Sequence, residues 1–186
     1  MITATVLDVP MTFITDRTLF SPERIDRGTV AMLKEAAFYD ADKVLDLGCG
    51  YGVAGIYAAK RIGAHRVVMS DINETAVDIS RKNAEMNGVC GLKIILSDGF
   101  TNIDDADFTV IMSNPPYHTD FKVPKHFIEK GFNRLIIGGR MYMVTKRRDW
   151  YKNKLTAVFG GVRVAETDGY FVFCSEKRSA KYASKV

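Results

Sequence analysis

Four polar side chains stand at the ends of short apolar runs that predict buried strands. They are Asp46, Asp71, Asp98 and Asn114. A carboxylate beside a buried strand is costly unless another group donates a hydrogen bond to it. In open α/β sheets, ligands bind beyond the carboxyl ends of the strands, near the point where the strand order reverses. The four residues therefore predict one binding site at a single edge of a sheet.

A glycine-rich loop follows the first of these acids, and it lets a ligand approach the backbone closely. The loop includes Gly48, Cys49, Gly50 and Gly52. With Gly55 it also satisfies the GxGxxG fingerprint of dinucleotide sites, and Asp71 lies 21 residues after Gly50, where a ribose-binding acid belongs. An NAD-dependent oxidoreductase is therefore one interpretation. Asp46 favours another, because a carboxylate there repels a pyrophosphate but accepts a hydrogen bond from an ammonium group such as that of S-adenosylmethionine.

The next two acids suit the adenosine part of such a cofactor. Asp71 has two acceptor oxygens, which match the two ribose hydroxyls. Asp98, followed by Gly99 in the segment SDGF, is placed to accept from the adenine amino group. Ile72 or Phe100 would then lie against the adenine ring. An Asp-Gly turn with no ligand is the structural alternative for Asp98.

The segment SNPPYH follows the fourth predicted strand and suits the binding of a planar amine. An amine on a nucleobase is a poor nucleophile because its lone pair is delocalised into the ring. The Asn114 side-chain oxygen and the Pro115 carbonyl would accept both N–H bonds and turn the lone pair towards an electrophile. Pro116 makes the turn rigid, and Tyr117 offers a face on which a flat base stacks. A rigid turn that simply ends the strand is the structural alternative.

Strands alternate with helices from about residue 43 onwards, and this alternation predicts βαβ units that wind into a parallel sheet covered on both faces. The last two predicted strands are joined by a tight turn at Asp168 and Gly169, so they must be antiparallel. The predicted fold is a doubly wound α/β, mostly parallel sheet of seven strands that ends in an antiparallel hairpin. Residues 1–20 predict a β-hairpin extension on the edge of this domain, which spans residues 21–186.

The composition fits a single globular domain of 186 residues, with 47% apolar and 26% charged residues. The longest charge-free run is too short and too rich in glycine to cross a membrane. The first residues lack the basic start of a secretory signal. Three cysteines with no CxxC pair argue against a disulfide framework and a zinc site. We therefore expect a soluble, cytoplasmic protein.

Positive charge is concentrated at the C-terminal end of the chain. Residues 146–186 hold ten of the 26 basic residues but only four of the 22 acidic ones. The segment begins with Lys146, Arg147 and Arg148, directly after a predicted strand, and Trp150 follows closely. Such a cluster suits contact with the phosphates of a nucleic acid. A solvated helix start and lysine-rich tail are the structural alternative.

The segments VLDLGCGYG, VVMSDIN, LSDGF and SNPPYH occur in the order and at the spacing of class I S-adenosylmethionine-dependent methyltransferases of the NPPY type, which the chain resembles from about residue 20 to 173. It looks most like the methyltransferase small domain proteins, which include the small-subunit rRNA guanine-N2 methyltransferases. The upstream segment FSPERIDRGT and His118 are typical of that group. The best-known rRNA members carry a second, cofactor-free domain copy, whereas this chain resembles the single-domain form.

The resemblance implies a role for each motif. Asp46 and residues 48–52 would bind the methionine part of the cofactor, Asp71 the ribose and Asp98 the adenine, while residues 114–117 hold the target base. Four upstream residues would close over the cofactor or the acceptor, namely Phe20, Asp26, Gly28 and Thr29. His118 takes a positioning or phosphate-contacting role, because a methylated amine loses its proton readily without a dedicated base.

The predicted activity is methyl transfer from S-adenosylmethionine to an exocyclic amine of RNA, with guanine N2 of small-subunit rRNA as the first choice. No metal and no membrane is expected to take part. Adenine N6 of RNA or DNA and a glutamine amide of a protein are alternative acceptors for the same NPPY segment. An NAD-dependent oxidoreductase and an RNA-binding module without activity are alternatives of other classes. The oligomeric state stays open between monomer and homodimer.

Overall fold

The structure is a computed structural model that describes residues 1–116 and 120–184. Its strands are β1 Ile2–Val6, β2 Val9–Phe13, β3 Val44–Leu47, β4 Val67–Asp71, β5 Lys93–Leu96, β6 Phe108–Ser113, β7 Leu135–Thr145, β8 Arg163–Thr167 and β9 Tyr170–Glu176. Its α-helices are α1 Arg27–Glu35, α2 Val53–Ile62, α3 Glu74–Met86, α4 Lys122–Arg134 and α5 Arg148–Phe159. Among these described residues, no helix combines the length and the apolar character needed to cross a membrane.

Seven strands form the central sheet in the order β5-β4-β3-β6-β7-β9-β8. Strands β3 to β7 pair in parallel, whereas β9 runs antiparallel to both β7 and β8. The chain winds outwards from β3 to β5 and then returns to place β6 on the other side of β3. The predicted doubly wound, mostly parallel sheet is therefore confirmed, and its strand order reverses between β3 and β6.

Both faces of the sheet are covered by helices, which explains why the central strands are apolar on both sides. On one face, Met69 and Val110 pack with residues of α1, α2 and α3. On the other face, Leu45, Ile111 and Met141 pack with residues of α4 and α5. Asp46 and Asn114 thus lie near the carboxyl ends of β3 and β6, beyond the apolar packing that covers both faces of the sheet.

The C-terminal hairpin turns where the sequence predicts. Thr167 pairs with Tyr170, which leaves Asp168 and Gly169 as the two turn residues. Both have positive φ, at 52° and 75°, as two-residue turns between twisted strands require.

The N-terminal hairpin is present, but its turn differs from the sequence pattern. The β-prone segment TVLDV predicts a strand over residues 5–9, whereas the turn falls inside it, at Leu7 and Asp8, and Leu7 has a φ of 55°. The hairpin packs on α3. Asn83 in the last turn of α3 and Asn87 at its C-cap exchange hydrogen bonds with the backbone of Ile14 and Thr12, respectively. Two amide side chains thus replace the neighbouring strand that the hairpin lacks.

Helix α1 begins earlier than its apolar spacing predicts. The spacing indicates a helix over residues 29–38 with Thr29 as the N-cap, but the N-cap is Asp26, whose side chain accepts a 2.8 Å hydrogen bond from the Thr29 N–H. An acid at the N-cap satisfies the N–H three residues later. This shift brings both Asp26 and Thr29 to the end of α1 that faces the carboxyl ends of the strands.

Candidate active site

A cavity of about 400 Å³ opens at the carboxyl ends of β3, β4 and β6, where the strand order reverses. Its volume lies in the range of small-molecule sites. The four polar residues that the sequence places at strand ends all line it, namely Asp46, Asp71, Asp98 and Asn114. The predicted meeting of these side chains at one edge of the sheet is therefore what the structure shows.

Asp46 is almost completely buried, with 3% of its surface exposed. Its Oδ2 accepts a 2.7 Å hydrogen bond from the backbone N–H of Gly55 in α2. Burial and, to a smaller extent, the nearby charge of Asp71 together raise the pKa of Asp46 to about 7, against the effect of that hydrogen bond. The carboxyl group therefore ties α2 to the sheet, and it also faces the cavity.

Gly55 explains why the chain satisfies the dinucleotide fingerprint. A Cβ added at this position would lie 2.6 Å from the sulfur of Met69 in β4 and 3.0 Å from Asp46 Oδ2. The third glycine of the pattern thus allows α2 to pack closely on the sheet, a need that many doubly wound folds share. It gives no preference for a pyrophosphate.

Asp71 holds the glycine-rich loop in place. Its Oδ2 accepts a 2.8 Å hydrogen bond from the Gly50 N–H, and its Oδ1 accepts one of 2.9 Å from the Asn73 N–H. The loop is fixed at its start as well, because the N–H groups of Gly48 and Cys49 both donate to the Ser70 carbonyl at 2.9 Å. Each Asp71 oxygen keeps a further lone pair, so the carboxylate can still accept from ligand hydroxyls.

Gly48, Cys49 and Gly50 line the cavity, whereas Gly52 lies behind it as the N-cap of α2. Gly50 has a φ of 56° and nothing within 4 Å of a Cβ built on it. The glycine there meets a need of the backbone, which turns through positive φ to direct its N–H at Asp71.

Asp98 lies in the loop after β5, at the far end of the cavity from Asn114. Within residues 1–116 and 120–184, no group donates a hydrogen bond to its exposed carboxylate, which is available to a ligand. Ile72 lines the cavity beside Asp71 with 67% of its surface exposed, and Gly99 also contributes to the wall. The described geometry therefore keeps Asp98, Gly99 and Ile72 as cofactor-binding candidates.

Phe100 does not line the cavity, in contrast to its predicted position against a ring. It is buried in the apolar cluster under α4. Phe127 of α4 lines the cavity instead, together with Val123 one turn earlier. Neither residue is predictable from the sequence, because their spacing on α4 is that of any helix face packed on a sheet.

Asn114 directly follows β6 and lines the cavity with Pro115 and Pro116. Its amide nitrogen donates to Asp26 Oδ2 at 2.9 Å and to Thr29 Oγ1 at 3.0 Å. Tyr117 and His118, predicted to stack on and to position the target base, lie outside the described residues. The described part of the segment thus presents one amide and two prolines to the cavity.

The segment before α1 covers part of the cavity. Phe20 lines it with 52% of its surface exposed, and Asp26 and Thr29 line it as well. Gly28 does not reach the cavity. It lies under Tyr170, and a Cβ at this position would be 2.7 Å from the Tyr170 ring. Close packing of α1 on β9, rather than contact with a ligand, accounts for this glycine.

Three consecutive cations follow β7, outside the cavity, and we call them the basic strip. They are Lys146, Arg147 and Arg148, all exposed. Each lies over an aromatic ring: Tyr170 at 5.0 Å, Phe121 at 5.0 Å and Phe171 at 5.9 Å, respectively. Their charged groups are held at the surface by cation–π contacts.

Trp150 is half-buried and stacks on Phe121, with ring centroids 4.3 Å apart.

In the described part of the chain, no cluster of three or more His, Cys, Asp or Glu residues could hold a metal ion.

The sheet order, with an acid-lined cavity where it reverses, defines the fold of the S-adenosylmethionine-dependent methyltransferases. The same fold is seen in the Thermus thermophilus 16S rRNA N2 G1207 methyltransferase in complex with AdoMet and guanosine, with a TM-score of 0.81 and 25% identity, over 95% of this chain and 50% of that one. The chain belongs to the methyltransferase small domain family, whose model matches residues 10–174. The resemblance seen in the sequence is therefore confirmed.

Two curated relatives illustrate this family. YbxB of Bacillus subtilis is 33% identical over 172 residues, which cover 89% of this chain and 86% of that protein. Ribosomal RNA small subunit methyltransferase C of Pseudomonas putida W619 is 34% identical over 173 residues, or 89% of this chain and 51% of that protein. The chain thus spans about half the length of the methyltransferase C relatives. The predicted enzyme class and cofactor, a methyltransferase that uses S-adenosylmethionine, are confirmed.

Proposed function

We propose that this chain transfers a methyl group from S-adenosylmethionine to an exocyclic amine of RNA, with guanine N2 of small-subunit rRNA as its substrate. The observation that carries the proposal is that Asn114 and Pro115 line the same cavity as Asp71 and Asp98. The groups suited to a planar amine thus lie beside the groups suited to the cofactor. An enzyme with this substrate works in the cytoplasm.

The residues that line the cavity offer a suitable chemical group for each part of the cofactor. Asp71 offers lone pairs to the ribose hydroxyls, and the exposed carboxylate of Asp98 suits the adenine amino group. Ile72 and Phe127 supply apolar surface for the adenine ring. Asp46, behind the glycine-rich loop, suits the ammonium group of the methionine part. When bound, S-adenosylmethionine supplies a methyl group on a positively charged sulfur.

On the acceptor side, the chain contributes orientation. The Asn114 oxygen and the Pro115 carbonyl accept the two N–H bonds of the amine, which directs its lone pair at the methyl group. The two prolines restrict the backbone that carries these acceptors. The methylated amine is acidic and releases its proton without a dedicated base, so the proposal requires no general base from the chain.

The basic strip suits the phosphates around the target nucleotide. Lys146 lies over Tyr170, the Tyr170 hydroxyl is 3.4 Å from Asp26 Oδ1, and Asp26 accepts from Asn114, so three successive contacts connect this end of the strip with Asn114. Contacts of Lys and Arg with phosphates give affinity and position but little sequence information. We therefore propose that the strip holds RNA while residues 114–117 receive the base.

The choice among acceptors rests on the relatives. Proteins that this chain resembles over most of its length are named for small-subunit rRNA methylation, one of them at guanine N2. Adenine N6 and a glutamine amide remain chemically possible for the same two acceptor groups, and the basic strip favours a nucleic acid over a protein. The family match favours a methyltransferase over an NAD-dependent oxidoreductase, and the packing role of Gly55 removes the need for a dinucleotide to explain the GxGxxG pattern.

Mass spectrometry of nucleosides from the rRNA of a deletion strain tests the proposal. We expect the loss of one N2-methylguanosine, restored by the wild-type gene but not by an Asn114→Ala gene. Unchanged rRNA together with a lost N6-methyladenosine in RNA or DNA would replace guanine by adenine as the acceptor. Unchanged nucleic acids with a lost methylglutamine would point to a protein, and calorimetric binding of NADH in place of S-adenosylmethionine would point to an oxidoreductase.

A further inference from the structure

The N-terminal cap of α1 binds the amide of Asn114. Asp26 Oδ2, which accepts the capping hydrogen bond from Thr29 N–H, also accepts from Asn114 Nδ2 at 2.9 Å. Thr29 Oγ1 accepts from the same nitrogen at 3.0 Å and lies 3.3 Å from Asp26 Oδ2. Asp26 and Thr29 thus contact the Asn114 side chain although they precede it by 88 and 85 positions in the sequence.

The chemistry of these partners fixes which way the amide points. A carboxylate accepts hydrogen bonds and donates none, so only the NH₂ end of an amide can face Asp26. The Thr29 hydroxyl can donate its own hydrogen to Asp26 and accept from Asn114, so each of the three side chains takes part as a donor or an acceptor that its chemistry allows. We infer that Asp26 and Thr29 are positioning residues that orient the Asn114 amide so that its oxygen, and not its nitrogen, is presented to the methyl-accepting amine.

The inference rests on the proposed function in one respect, namely that Asn114 receives an amine. Without the cap, the amide could rotate and present its NH₂ group to the amine, where two donors would face each other. The amide would then adopt several conformations, and fixing the one that binds the substrate would cost conformational entropy. A side chain that its neighbours already hold in that conformation avoids this cost, as precise sites require.

A further contact shows why this cap is held rigidly. The Tyr170 ring packs over Gly28, and its hydroxyl lies 3.4 Å from the second oxygen of Asp26. The position of the Asp26 carboxylate is therefore determined by α1 on one side and by β9 on the other.

Two substitutions separate this role from the stability of α1. In Asp26→Ser, the serine hydroxyl still caps the helix, but the shorter side chain does not reach Asn114. In Thr29→Val, the second acceptor is lost with little change of shape. For Asp26→Ser we expect kcat to fall about tenfold to 100-fold, as the loss of a hydrogen bond to a charged group predicts, and for Thr29→Val about twofold to tenfold, as the loss of a neutral hydrogen bond predicts. The Kd for S-adenosylhomocysteine should change less than about threefold.

Asp26→Asn is the conservative variant that should rescue the effect. Its amide oxygen can take the place of Oδ2 and accept from both Thr29 and Asn114, and its NH₂ group can donate to Tyr170. We expect kcat at least about fivefold above that of Asp26→Ser, from the same hydrogen-bond energies. Glu35→Ala, which breaks the ion pair with Arg163 at the other end of α1, is the matched control and should leave kcat unchanged.

The orientation of the amide can be measured without any substrate. In ¹⁵N-labelled protein, the side-chain signals of Asn114 are identified by their loss in Asn114→Ala. We expect slow hydrogen exchange of this NH₂ group in the wild type and in Asp26→Asn, and fast exchange in Asp26→Ser. If exchange is the same in all three, the inference is wrong whatever the substrate is.

The kinetic result completes the test. If exchange becomes fast in Asp26→Ser while its kcat equals that of the wild type, the contact exists but does not position the reacting group, and the inference is also wrong. If the wild type shows slow exchange but methylates no RNA amine, the proposed function fails and the orientation of Asn114 stands.

Discussion

The Asp46 carboxyl group and the Gly55 N–H are joined by a 2.7 Å hydrogen bond at the base of the cavity. This bond fixes the start of α2, and the same buried acid lines the cavity that we propose as the cofactor site. The two tasks make different demands on its protonation state. The hydrogen bond to Gly55 is available in either state, whereas the attraction for an ammonium group requires the charged form.

The pH dependence of stability should reveal this buried acid. The pKa of Asp46 is about 7 in the folded chain, above the ordinary value of 3.8. Because the folded state holds the proton more tightly, Asp46 makes the free protein less stable as the pH rises from about 4 to about 7, by at most roughly 4 kcal/mol. Urea unfolding at pH 5 and pH 8 should show a smaller decrease for Asp46→Asn than for the wild type. Equal decreases would contradict the assignment.

Cofactor affinity should follow the opposite trend with pH. The ammonium group of S-adenosylmethionine attracts the charged form of Asp46, so affinity should rise as the pH passes through about 7. Calorimetry from pH 6 to pH 8.5 measures this change. Asp46→Asn should bind the cofactor more weakly at pH 8, with a flatter dependence on pH. An affinity that falls with pH in the wild type would rule out this role for Asp46.

Asp71→Ala should weaken cofactor binding about tenfold to 100-fold, because the variant loses charged hydrogen bonds to the ribose and releases the Gly50 N–H. Fluorescence or calorimetric titration with S-adenosylhomocysteine gives the Kd. Asp78→Ala is the control, because it removes an exposed acid of α3 that pairs only with Arg81 among the described residues. A similar Kd for all three proteins would place the ribose elsewhere.

Asn114→Ala should lower kcat about 100-fold to 1000-fold, the range found when one oriented hydrogen-bonding group is removed from an active site. The Kd for S-adenosylhomocysteine should stay within about threefold of the wild type. Single-turnover transfer of a labelled methyl group separates the two effects. A parallel loss of cofactor affinity would show that the amide binds the cofactor and not the acceptor.

Replacement of the basic strip by alanine should weaken RNA binding in a salt-dependent way. Because this variant can no longer neutralise three phosphates, the slope of log K against log salt should decrease by up to about 2 for single-stranded RNA. Filter binding from 50 to 300 mM salt measures this slope. The matched control removes three exposed lysines in later turns of α1, α2 and α3, namely Lys34, Lys60 and Lys82. An equal effect of both variants would indicate net charge alone.

Asn83→Ala should destabilise the fold by about 2–4 kcal/mol, because it leaves two part-buried backbone groups of Ile14 and the buried carbonyl of Tyr51 without their Asn83 partner. Urea unfolding gives the free energy. Asn133→Ala, which removes an exposed amide from α4, should cost less than about 0.5 kcal/mol. A small effect at Asn83 would mean that the hairpin is held by its apolar contacts alone.

Much of the fold is encoded locally and was predictable. The segment VAGIYAAKRI predicts a helix over residues 53–62 and YFVFCSE a strand over 170–176, and α2 and β9 have these bounds. The Asp168–Gly169 turn follows from residues that tolerate positive φ. The N-terminal turn was not predictable in this way. Leu7 adopts a positive φ that leucine rarely takes, because pairing of the flanking strands and docking on α3 determine the local backbone.

The site was predictable where one residue type has one evident use. Acids and an amide at consecutive strand ends indicated the cavity, and all four line it. Roles that depend on distant packing were not visible. Gly28 and Gly55 serve helix packing against Tyr170 and Met69, and Phe100 turned to the core because α4 covers the loop after β5. The family resemblance placed Asp26 beside the cofactor or the acceptor, but its hydrogen bond with Asn114 was not predictable, since that contact arises from the docking of α1.

The connection between the N-terminal hairpin and α1 is held at both ends. Asn83 and Asn87 secure the chain at Thr12 and Ile14, and the bond from Asn114 to Asp26 secures it on the opposite rim. Residues 18–20 lie between these anchors in the sequence and line the cavity. The number of residues in this segment, at no more than about 3.6 Å each, limits how far it can move away from the cavity, so a deletion or an insertion here should change the space available to the proposed substrate.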